Sequence, residues 1–261
     1  MPAHDDLALL VEAANAAGNI ARPFWRKHPE TWDKGDGAGP VTEADLAVDK
    51  MLHTKLLAAR PAYGWLSEET ADTDARLSKD RVFIVDPIDG TRSFIEGDHN
   101  WAHSLAVAEQ GEVVAAVVYL PMRKRLFVAE KGKGATLNGV PLRASETENI
   151  DGARLLTHRH NLKPELWNDG CPAFACRFRP SLAYRMSLVA QGRHDAMLSL
   201  RNTWEWDVAA GTLIAREAGA KVTDRNGNAP VFNQDVPAFD GFMAANPVLA
   251  DSIAARLATR G

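Results

Sequence analysis

Residues 82–91 read VFIVDPIDGT, an unbroken apolar run that ends in closely spaced carboxylates. Four consecutive apolar residues are typical of a strand that is buried on both faces. Asp86 and Asp89 follow at the end of this strand, and their charges repel each other unless a cation lies between them. The segment therefore predicts a buried strand in a mixed α/β fold, with an acidic site at its carboxyl end.

The residues within and after the acidic pair favour a phosphate site at the same turn. Pro87 removes a backbone donor and stiffens the turn. Gly90 allows the close backbone approach that an anion needs, and the amides that follow can cradle a phosphate if a helix begins there. The haloacid-dehalogenase phosphatases carry a similar Asp-x-Asp-Gly-Thr motif. That interpretation fails here, because two residues separate Asp86 from Asp89 and place the second carboxylate on a different face of the turn.

Periodic apolar residues on either side of this segment predict the remaining elements. Alternating residues predict strands at 103–109, 112–120, 124–130, 153–158 and 195–199. Helical spacing predicts helices at 5–27, from 42, at 181–192, at 207–218 and from 247. Thr42 and Asp45 match a capping box, whereas the glycines of residues 28–40 predict a flexible loop.

Composition and charge are those of an ordinary globular protein and narrow the range of partners. Of the 261 residues 46% are hydrophobic and 25% are charged, and the formal net charge is −4. Such a chain can bury a core without disulfides, and its charge argues against direct nucleic-acid binding. Cys171 and Cys176 are too few for a Cys-rich zinc site and favour a reducing compartment. With no signal-peptide pattern and no apolar run of about 18 residues, we expect a cytoplasmic protein and no membrane contact.

Three further acidic segments have ordinary structural explanations when each is taken alone. Ser67-Glu68-Glu69 is explained as a surface segment with a solvated pair of glutamates. The segment 40–45, PVTEAD, contains the capping box. In the segment 204–211, WEWDVAAG, Asp207 is a suitable N-cap for the apolar helix that follows.

Together and in this order, PVTEAD, SEE, DPIDGT and WDVAAG resemble the marks of the inositol monophosphatase superfamily over nearly the whole chain. The resemblance implies a mixed α/β (α+β) fold, a layered αβαβα sandwich of the inositol monophosphatase and fructose-1,6-bisphosphatase type. It also implies dependence on two or three Mg²⁺ ions per active site, sensitivity to lithium, and a homodimer. A soft boundary separates residues 1–145, an α+β half with most of the metal ligands, from residues 146–261, an α/β half with Asp207 and the substrate-specificity elements.

The same resemblance implies a role for residues in each acidic segment. Glu68 is expected to bind a metal ion and to take part in catalysis, and Asp86 to bridge two metal ions. The remaining metal ligands are expected to be the Ile88 carbonyl and the carboxylates of Asp89 and Asp207. Thr91 and Asp45 are expected to orient the attacking water. Oxygen-only ligands suit Mg²⁺, and paired ions stabilise both the attacking and the leaving oxygen without a covalent phosphoenzyme.

Phosphate contacts are expected from both halves of the chain. Lys34 resembles the lysine of the family's mobile loop, and the amides of Gly90 and Thr91 are expected to hold the phosphate. Arg92 and Arg185 suit a second phosphate, because a guanidinium fork binds phosphate well, although both are also explained as surface arginines.

The expected substrate is a small phosphorylated metabolite, and its identity stays open. Inositol-specific members carry a glutamate seven residues before the Asp of WDVAAG, where this chain has Leu200, unless Glu205 substitutes for it. Other segments resemble the bacterial 3′(2′),5′-bisphosphate nucleotidases, which favours 3′-phosphoadenosine 5′-phosphate as substrate. Inositol 1-phosphate and histidinol phosphate are the alternatives. A non-enzymatic alternative, which the resemblance to some bacterial members implies, is a protein partner in RNA synthesis or processing.

Overall fold

The computed structural model describes residues 6–35 and 39–258 of the chain. Its helices are α1 Asp6–Ala21, α2 Glu43–Ala59, α3 Thr91–Ile95, α4 Leu182–Ala190, α5 Glu205–Glu217 and α6 Pro247–Arg256. Its strands are β1 Thr31–Asp33, β2 Pro40–Thr42, β3 Gly64–Ser67, β4 Arg81–Asp89, β5 Ala102–Glu109, β6 Glu112–Leu120, β7 Arg125–Glu130, β8 Ala135–Leu137, β9 Val140–Pro141, β10 Arg154–Leu156, β11 Ala175–Arg177, β12 Ala196–Trp204, β13 Lys221–Thr223 and β14 Ala238–Ala245.

The described strands form two large sheets and one small pair. The seven-stranded sheet has the order β3-β4-β5-β6-β7-β8-β9, with β3 parallel to β4 and the other pairs antiparallel. The five-stranded sheet has the order β11-β10-β12-β14-β13, in which β10 is parallel to both β11 and β12. The change from one large sheet to the other falls between Pro141 and Arg154. The division of the chain near residue 145 stays a prediction.

Helices cover both large sheets and fill the space between them. Along β4, Phe83 and Val85 belong to a core with α1 and α2, while Val82 and Ile84 belong to a second core that contains α4 and α5. This alternation follows from the period of a strand, whose successive side chains point to opposite faces. The five-stranded sheet packs one face against α4 and α5 and the other against α6. The layers are therefore α, β, α, β, α, and the predicted sandwich is confirmed.

Some elements begin or end elsewhere than predicted. Helix α1 ends at Ala21 rather than at residue 27, because Pro23 disfavours a helical conformation at the residue before it. Part of the loop predicted at 28–40 is ordered as β1 and β2, which pair antiparallel. The predicted capping box is confirmed, with Thr42 as the N-cap of α2.

Other predictions fall outside the described residues or were incomplete. The predicted helix start at residue 5 and the middle of the predicted loop, 36–38, lie outside the described ranges. Strand β14 was not predicted, because Asp240 and Gly241 interrupt its alternation with residues that are rare in strands. Within 6–35 and 39–258, no helix is both long and apolar enough to cross a membrane.

Candidate active site

A β-bulge interrupts β4 at the acidic pair. The register of β4 against β5 shifts between Asp86 and Asp89, so two residues of β4 lie opposite one of β5. Pro87 lies in this bulge, where the strand pairing does not require a backbone N–H donor. Nδ1 of the buried His103 donates a hydrogen bond to the Pro87 carbonyl at 2.5 Å. Burial lowers the pKa of His103 to about 4, so a neutral ring holds the turn in place.

Three aspartates meet at this turn. Asp86, Asp89 and Asp207 each bring one carboxylate oxygen to within 4.8 Å of the others. Asp207 comes from the first turn of α5, which begins at Glu205, so that Trp204 rather than Asp207 is the N-cap. The N-terminal and C-terminal parts of the chain therefore share this acidic cluster.

The three carboxylates repel one another in a largely buried site. Burial raises the pKa of Asp86 well above its ordinary value, and the negative charge of Glu68 raises it further. Burial also raises the pKa of Asp89 to about 6, and burial together with the charge of Asp89 raises the pKa of Asp207 to about 8. Oδ1 of Asp86 is buried and has no hydrogen-bond partner in the described part of the chain. A cation between these oxygens would relieve both the repulsion and the unmet acceptor.

Asp89 is held by the N-terminus of α4. Its Oδ2 accepts hydrogen bonds from Oγ of Ser181 at 2.6 Å and from the N–H of Ala183 at 2.7 Å. Its Oδ1 accepts a longer bond from the N–H of Leu182 at 3.3 Å. A carboxylate is favoured at a helix N-terminus, and these bonds limit the rise in the pKa of Asp89 that burial causes.

Glu68 lies beside β4, because its backbone N–H donates to the carbonyl of Val85 at 3.2 Å. Asp49 anchors the loop that carries Glu68 by accepting hydrogen bonds from Oγ of Ser67 at 2.6 Å and Oγ1 of Thr70 at 2.7 Å. The charge of Glu68 raises the pKa values of two of the clustered aspartates. A fourth carboxylate therefore faces the cluster from an anchored loop.

Lys34 reaches the same carboxylate from the segment after β1. Its Nζ lies 2.8 Å from Oε1 of Glu68 and 2.8 Å from Oε1 of Glu69. Burial alone would lower the pKa of Lys34, but the two glutamates outweigh it and raise this pKa above its ordinary value. An ammonium group thus pairs with a predicted metal ligand, so the lysine and a metal ion would compete for Glu68.

Thr91 and Asp45 are in hydrogen-bond contact. Oγ1 of Thr91 lies 3.3 Å from Oδ1 of Asp45 and 3.1 Å from the carbonyl of Ile88. Oδ2 of Asp45 accepts hydrogen bonds from the Thr42 hydroxyl at 2.5 Å and from the Thr42 N–H at 2.9 Å. Burial raises the pKa of Asp45 to about 6, although the bonds with Thr42 oppose this rise. The capping box therefore orients the carboxylate and leaves Oδ1 for Thr91.

Helix α3 begins directly after the acidic pair, and the carbonyl groups of the helix accept no bond from its first N–H groups. Its first internal hydrogen bond runs from the N–H of Phe94 to the carbonyl of Gly90, at 3.1 Å. The N–H groups of residues 91–93 precede that bond and have no acceptor within the helix. Gly90 has a φ of 99°, and a Cβ there would lie 3.3 Å from the Asn100 carbonyl, so a side chain would strain this turn. Arg92 extends from α3 as an exposed side chain.

Arg185 faces the cluster from α4. It is buried, its Nε donates to the carbonyl of Arg179, and its guanidinium carbon lies 4.6 Å from the centre of the Phe178 ring. Burial lowers the pKa of Arg185 to about 10, against the attraction of Asp89. The charge of Arg201 lowers the same pKa further, so two guanidinium groups lie within electrostatic range of each other.

Arg201 lies in a second bulge, where β12 shifts its register against β14 between Ser199 and Asn202. Gly241 lies opposite, with a φ of 73°, and a Cβ there would approach the Ser199 carbonyl to 2.9 Å. The bulge leaves Leu200 only 5% exposed and turns Arg201 outward. Across 6–35 and 39–258, no group accepts a hydrogen bond from its guanidinium, although its charge acts on the acidic cluster.

The carboxylate of Glu205, offered by the sequence as a substitute for the glutamate that holds sugar hydroxyls, is bound by the protein itself. Its fully buried carboxylate accepts hydrogen bonds from the backbone N–H of Asn233 at 2.7 Å and of Gln234 at 2.9 Å. Since both oxygens are occupied by the protein, Glu205 is not retained among the proposed substrate contacts. Leu200 packs in the core with α6 and offers no alternative group for sugar hydroxyls.

The donors at the cluster suit Mg²⁺. All of them are oxygen atoms, from the carboxylates of Asp86, Asp89, Asp207 and Glu68 and from the nearby carbonyl of Ile88. Hard divalent cations prefer such ligands, whereas zinc favours nitrogen and sulfur. A bound ion would coordinate Oδ1 of Asp86, which has no hydrogen-bond partner among the described residues.

The sequence does not predict the roles of three residues that support the site. Asp49 follows Asp45 by four positions, which places both on one face of α2, and this spacing was an available signal. Ser181 is recognisable as an N-cap of α4, but its bond to Asp89 depends on the fold. The contact of His103 with the bulge likewise depends on the pairing of β4 with β5.

Comparison with known proteins gives a consistent picture over most of the chain. A model of the inositol monophosphatase family matches residues 4–260. An inositol-1-monophosphatase from Caulobacter vibrioides is 35% identical over 260 residues, which cover 95% of this chain and 99% of that protein. The Nus factor SuhB of Escherichia coli is 34% identical over 236 residues, which cover 86% of each chain.

Solved structures agree in fold. An IMPase from Thermotoga maritima superposes with a TM-score of 0.84 at 28% identity and covers 96% of both chains. The extragenic suppressor protein suhB of Bartonella henselae superposes with a TM-score of 0.82 at 30% identity, over 95% of this chain and 96% of that one.

Proposed function

The chain belongs to the inositol monophosphatase family, and we propose that it is a Mg²⁺-dependent phosphatase whose substrate is 3′-phosphoadenosine 5′-phosphate. The observation that supports assignment as a phosphatase is the cluster of Asp86, Asp89 and Asp207, in which Oδ1 of Asp86 is buried without a hydrogen-bond partner among the described residues. The N–H groups at the start of α3, which have no acceptor within the helix, follow directly after this cluster. Two or three ions per site, inhibition by lithium and a homodimer are part of the same proposal.

The proposed metal ligands are the carboxylates of Glu68, Asp86, Asp89 and Asp207 and the carbonyl of Ile88. Bound Mg²⁺ supplies charge neutralisation at the phosphoryl group and activation of a water molecule at neutral pH. The chain contributes the orientation of these donors, through the bonds of Asp89 with α4 and the anchoring of the Glu68 loop by Asp49.

Thr91 and Asp45 orient the attacking water in this proposal. Oγ1 of Thr91 accepts a hydrogen bond from the water while its own proton points to Oδ1 of Asp45, which the capping box holds in place. The water oxygen forms a bond to phosphorus, and the bond from phosphorus to the ester oxygen breaks. The departing alkoxide takes up the proton that the attacking water gives up, so that an alcohol and inorganic phosphate remain.

Amides and a lysine bind the phosphate that is cleaved. The N–H groups at the start of α3, which include that of Thr91, have no acceptor in the helix and lie next to the acidic pair. Lys34, once displaced from Glu68, supplies a positive charge at the same place. Backbone amides and an ammonium group are common partners of phosphate oxygens.

Two arginines favour a substrate with a second phosphate. Arg185 and Arg201 lie within electrostatic range of each other and of the acidic cluster, and Arg201 has no acceptor from the described residues. Like charges placed together are stabilised by an anion, and a guanidinium group suits phosphate. Trp204 is 44% exposed, is stacked on Trp206 with 4.9 Å between ring centres, and offers an aromatic face for adenine. The exposed Arg92 stays a further candidate for the second phosphate.

Three substrates test this assignment in parallel. Adenosine 3′-phosphate differs from 3′-phosphoadenosine 5′-phosphate only in the second phosphate, and inositol 1-phosphate lacks both that group and the base. We expect the highest kcat/KM for the bisphosphate. Arg201→Ala should lower that value about tenfold or more and leave hydrolysis of adenosine 3′-phosphate within twofold. Arg193→Ala removes another exposed arginine as the control. Equal losses on both nucleotides would contradict the role of Arg201.

Inositol 1-phosphate is the second candidate substrate, because relatives such as the Caulobacter protein are named inositol-1-monophosphatases. A higher kcat/KM for inositol 1-phosphate in the wild-type protein would support this candidate and overturn the nucleotide assignment. Histidinol phosphate is the third substrate to include in the assay.

A role as a protein partner in RNA synthesis is the non-enzymatic candidate, because the Escherichia coli relative is named a Nus factor. Asp86→Asn separates the two roles. Retained binding of a transcription protein in a pulldown, together with lost phosphate release, would show that binding does not depend on catalysis.

A further inference from the structure

A hydrogen-bond network with two buried side chains, those of Arg76 and Glu205, joins the loop after β3 to the start of α5. Its members, which we call the clasp, are Arg76, Glu205, Asn233 and Gln234. We infer that the clasp sets the position of Asp207 relative to Glu68 and so determines the affinity of the site for Mg²⁺. The inference rests on the proposed metal site and concerns residues that do not themselves touch the ion.

Arg76 attaches the clasp to the loop that carries Glu68. Its side chain is 2% exposed and makes a two-pronged contact with Asp72, at 2.7 and 2.8 Å, within the same connection between β3 and β4. Nη1 donates to Oδ1 of Asn233 at 2.8 Å, and Nη2 donates to the carbonyl of Gln234 at 2.8 Å. The Nδ2 group of Asn233 returns a bond to the Arg76 carbonyl at 3.3 Å.

Glu205 attaches the clasp to α5. Its carboxylate accepts the backbone N–H groups of Asn233 and Gln234, and its own N–H donates to the carbonyl of Pro237 at 2.8 Å. Glu205 is the first residue of α5, and Asp207 follows in the same helical turn. A displacement of Glu205 therefore moves Asp207 with it.

Directional hydrogen bonds to the buried Arg76 and Glu205 suit positioning better than stability. A buried ionic network contributes little net stability compared with apolar packing, because its members lose their hydration. It does fix distances, since a displaced member leaves a buried partner unsatisfied. The clasp thus holds two metal ligands that come from different layers of the fold. Replacing a residue that hydrogen-bonds directly to a metal ligand commonly changes metal affinity 10- to 100-fold, and the clasp acts on the same ligands through the backbone of α5 and of the connection between β3 and β4.

Glu205→Gln and Asn233→Gly test the inference. The glutamine has the same shape but can accept only one of the two backbone N–H groups. The glycine removes the side chain yet retains the positive φ of 62° that Asn233 adopts. The measurement is isothermal titration of Mg²⁺ into the metal-free full-length protein, together with its melting temperature and with kcat at saturating Mg²⁺.

We expect each variant to bind Mg²⁺ at least about tenfold more weakly and to recover kcat within about threefold when Mg²⁺ is saturating. Arg154→Ala is the matched control. It breaks the 2.6 Å pair with the buried Asp195, which precedes β12, whereas Asp207 lies beyond the other end of that strand. The control should lower the melting temperature and leave the Mg²⁺ affinity within twofold.

The outcomes separate the inference from the proposed function. Lower melting temperatures with unchanged Mg²⁺ affinity in both variants would overturn the clasp as a positioning device while the phosphatase assignment stands. Absence of Mg²⁺ binding by the wild-type protein would overturn the proposed metal site itself. An equal loss of affinity in Arg154→Ala would show that general destabilisation, and not the clasp, causes the effect.

Discussion

Oγ1 of Thr91 lies 3.3 Å from Oδ1 of Asp45, although the two residues are 46 positions apart in the chain. Thr91 is the first residue of α3, and Asp45 lies in the first turn of α2. The capping box of α2 fixes the carboxylate, and the acidic turn fixes the threonine. This contact therefore joins the start of one helix to the turn that carries the acidic cluster.

Replacing Thr91 by Val should lower kcat about 100- to 1,000-fold with little change in KM, because the methyl group fits but cannot orient water. Thr91→Ser retains the hydroxyl and should stay within about tenfold of the wild type. Steady-state kinetics at saturating Mg²⁺ measure both variants. Asp45→Asn should cause a similar loss, and the double variant should lose no more than either single one. Additive losses would show that the two residues do not act as a unit.

The metal-free protein should lose stability as pH rises from about 4 to 8. Burial raises the pKa values of Asp45 and Asp89 to about 6 and of Asp207 to about 8, above the ordinary 3.8. In this window these carboxyl groups keep protons in the folded protein that they release in the unfolded chain. Burial lowers the pKa values of His103 and His194 to about 4 and acts in the opposite direction, but the carboxyl groups outweigh the two histidines, so the free energy of unfolding falls with rising pH. We expect a difference of at least about 2 kcal/mol between pH 5 and pH 8, measured by urea denaturation in EDTA.

Mg²⁺ should restore this stability at pH 8, because the ion stabilises the ionised carboxylates that protons no longer neutralise. Asp207→Asn removes one of the clustered charges and should flatten the pH dependence of the metal-free protein. Stability that rises between pH 5 and pH 8 without metal would contradict the like-charge description of the cluster.

Lys34→Met should strengthen Mg²⁺ binding to the metal-free protein by up to about fivefold, because the ammonium group no longer competes for Glu68. The same variant should raise KM, since the displaced lysine is proposed to contact the phosphate. Titration calorimetry and steady-state kinetics measure the two effects. Lys50→Met, which removes an exposed charge from α2, is the control. Weaker Mg²⁺ binding in Lys34→Met would contradict competition at Glu68.

Local sequence patterns predict the parts of the fold and site that depend on neighbours in the chain. The apolar run before Asp86 predicts β4, and the spacing of Thr42 and Asp45 predicts the start of α2. The resemblance of four motifs to one superfamily led to the layered sandwich and to the proposed site residues in separate segments, such as Asp207.

Contacts between segments that are distant in the chain cannot be predicted from such local patterns. The position of Glu205 depends on the backbone of residues 233–234, so no local signal shows that its carboxylate is occupied. The exposure of Arg201 depends on a bulge opposite Gly241, which becomes visible only when β12 pairs with β14. Strand β14 lacks clear alternation, because Asp240 and Gly241 interrupt it and because most of its remaining residues are buried between β12 and β13.

The most direct test of the proposed function is phosphate release from 3′-phosphoadenosine 5′-phosphate by the wild-type protein, Asp86→Asn and Asp207→Asn, with and without Mg²⁺. We predict Mg²⁺-dependent release by the wild type that Li⁺ inhibits, and a loss of at least about 100-fold in each variant. Circular dichroism should show that both variants stay folded. Near-normal rates in either variant, or no Mg²⁺-dependent release by the wild type from this substrate, inositol 1-phosphate or histidinol phosphate, would contradict the proposed phosphatase.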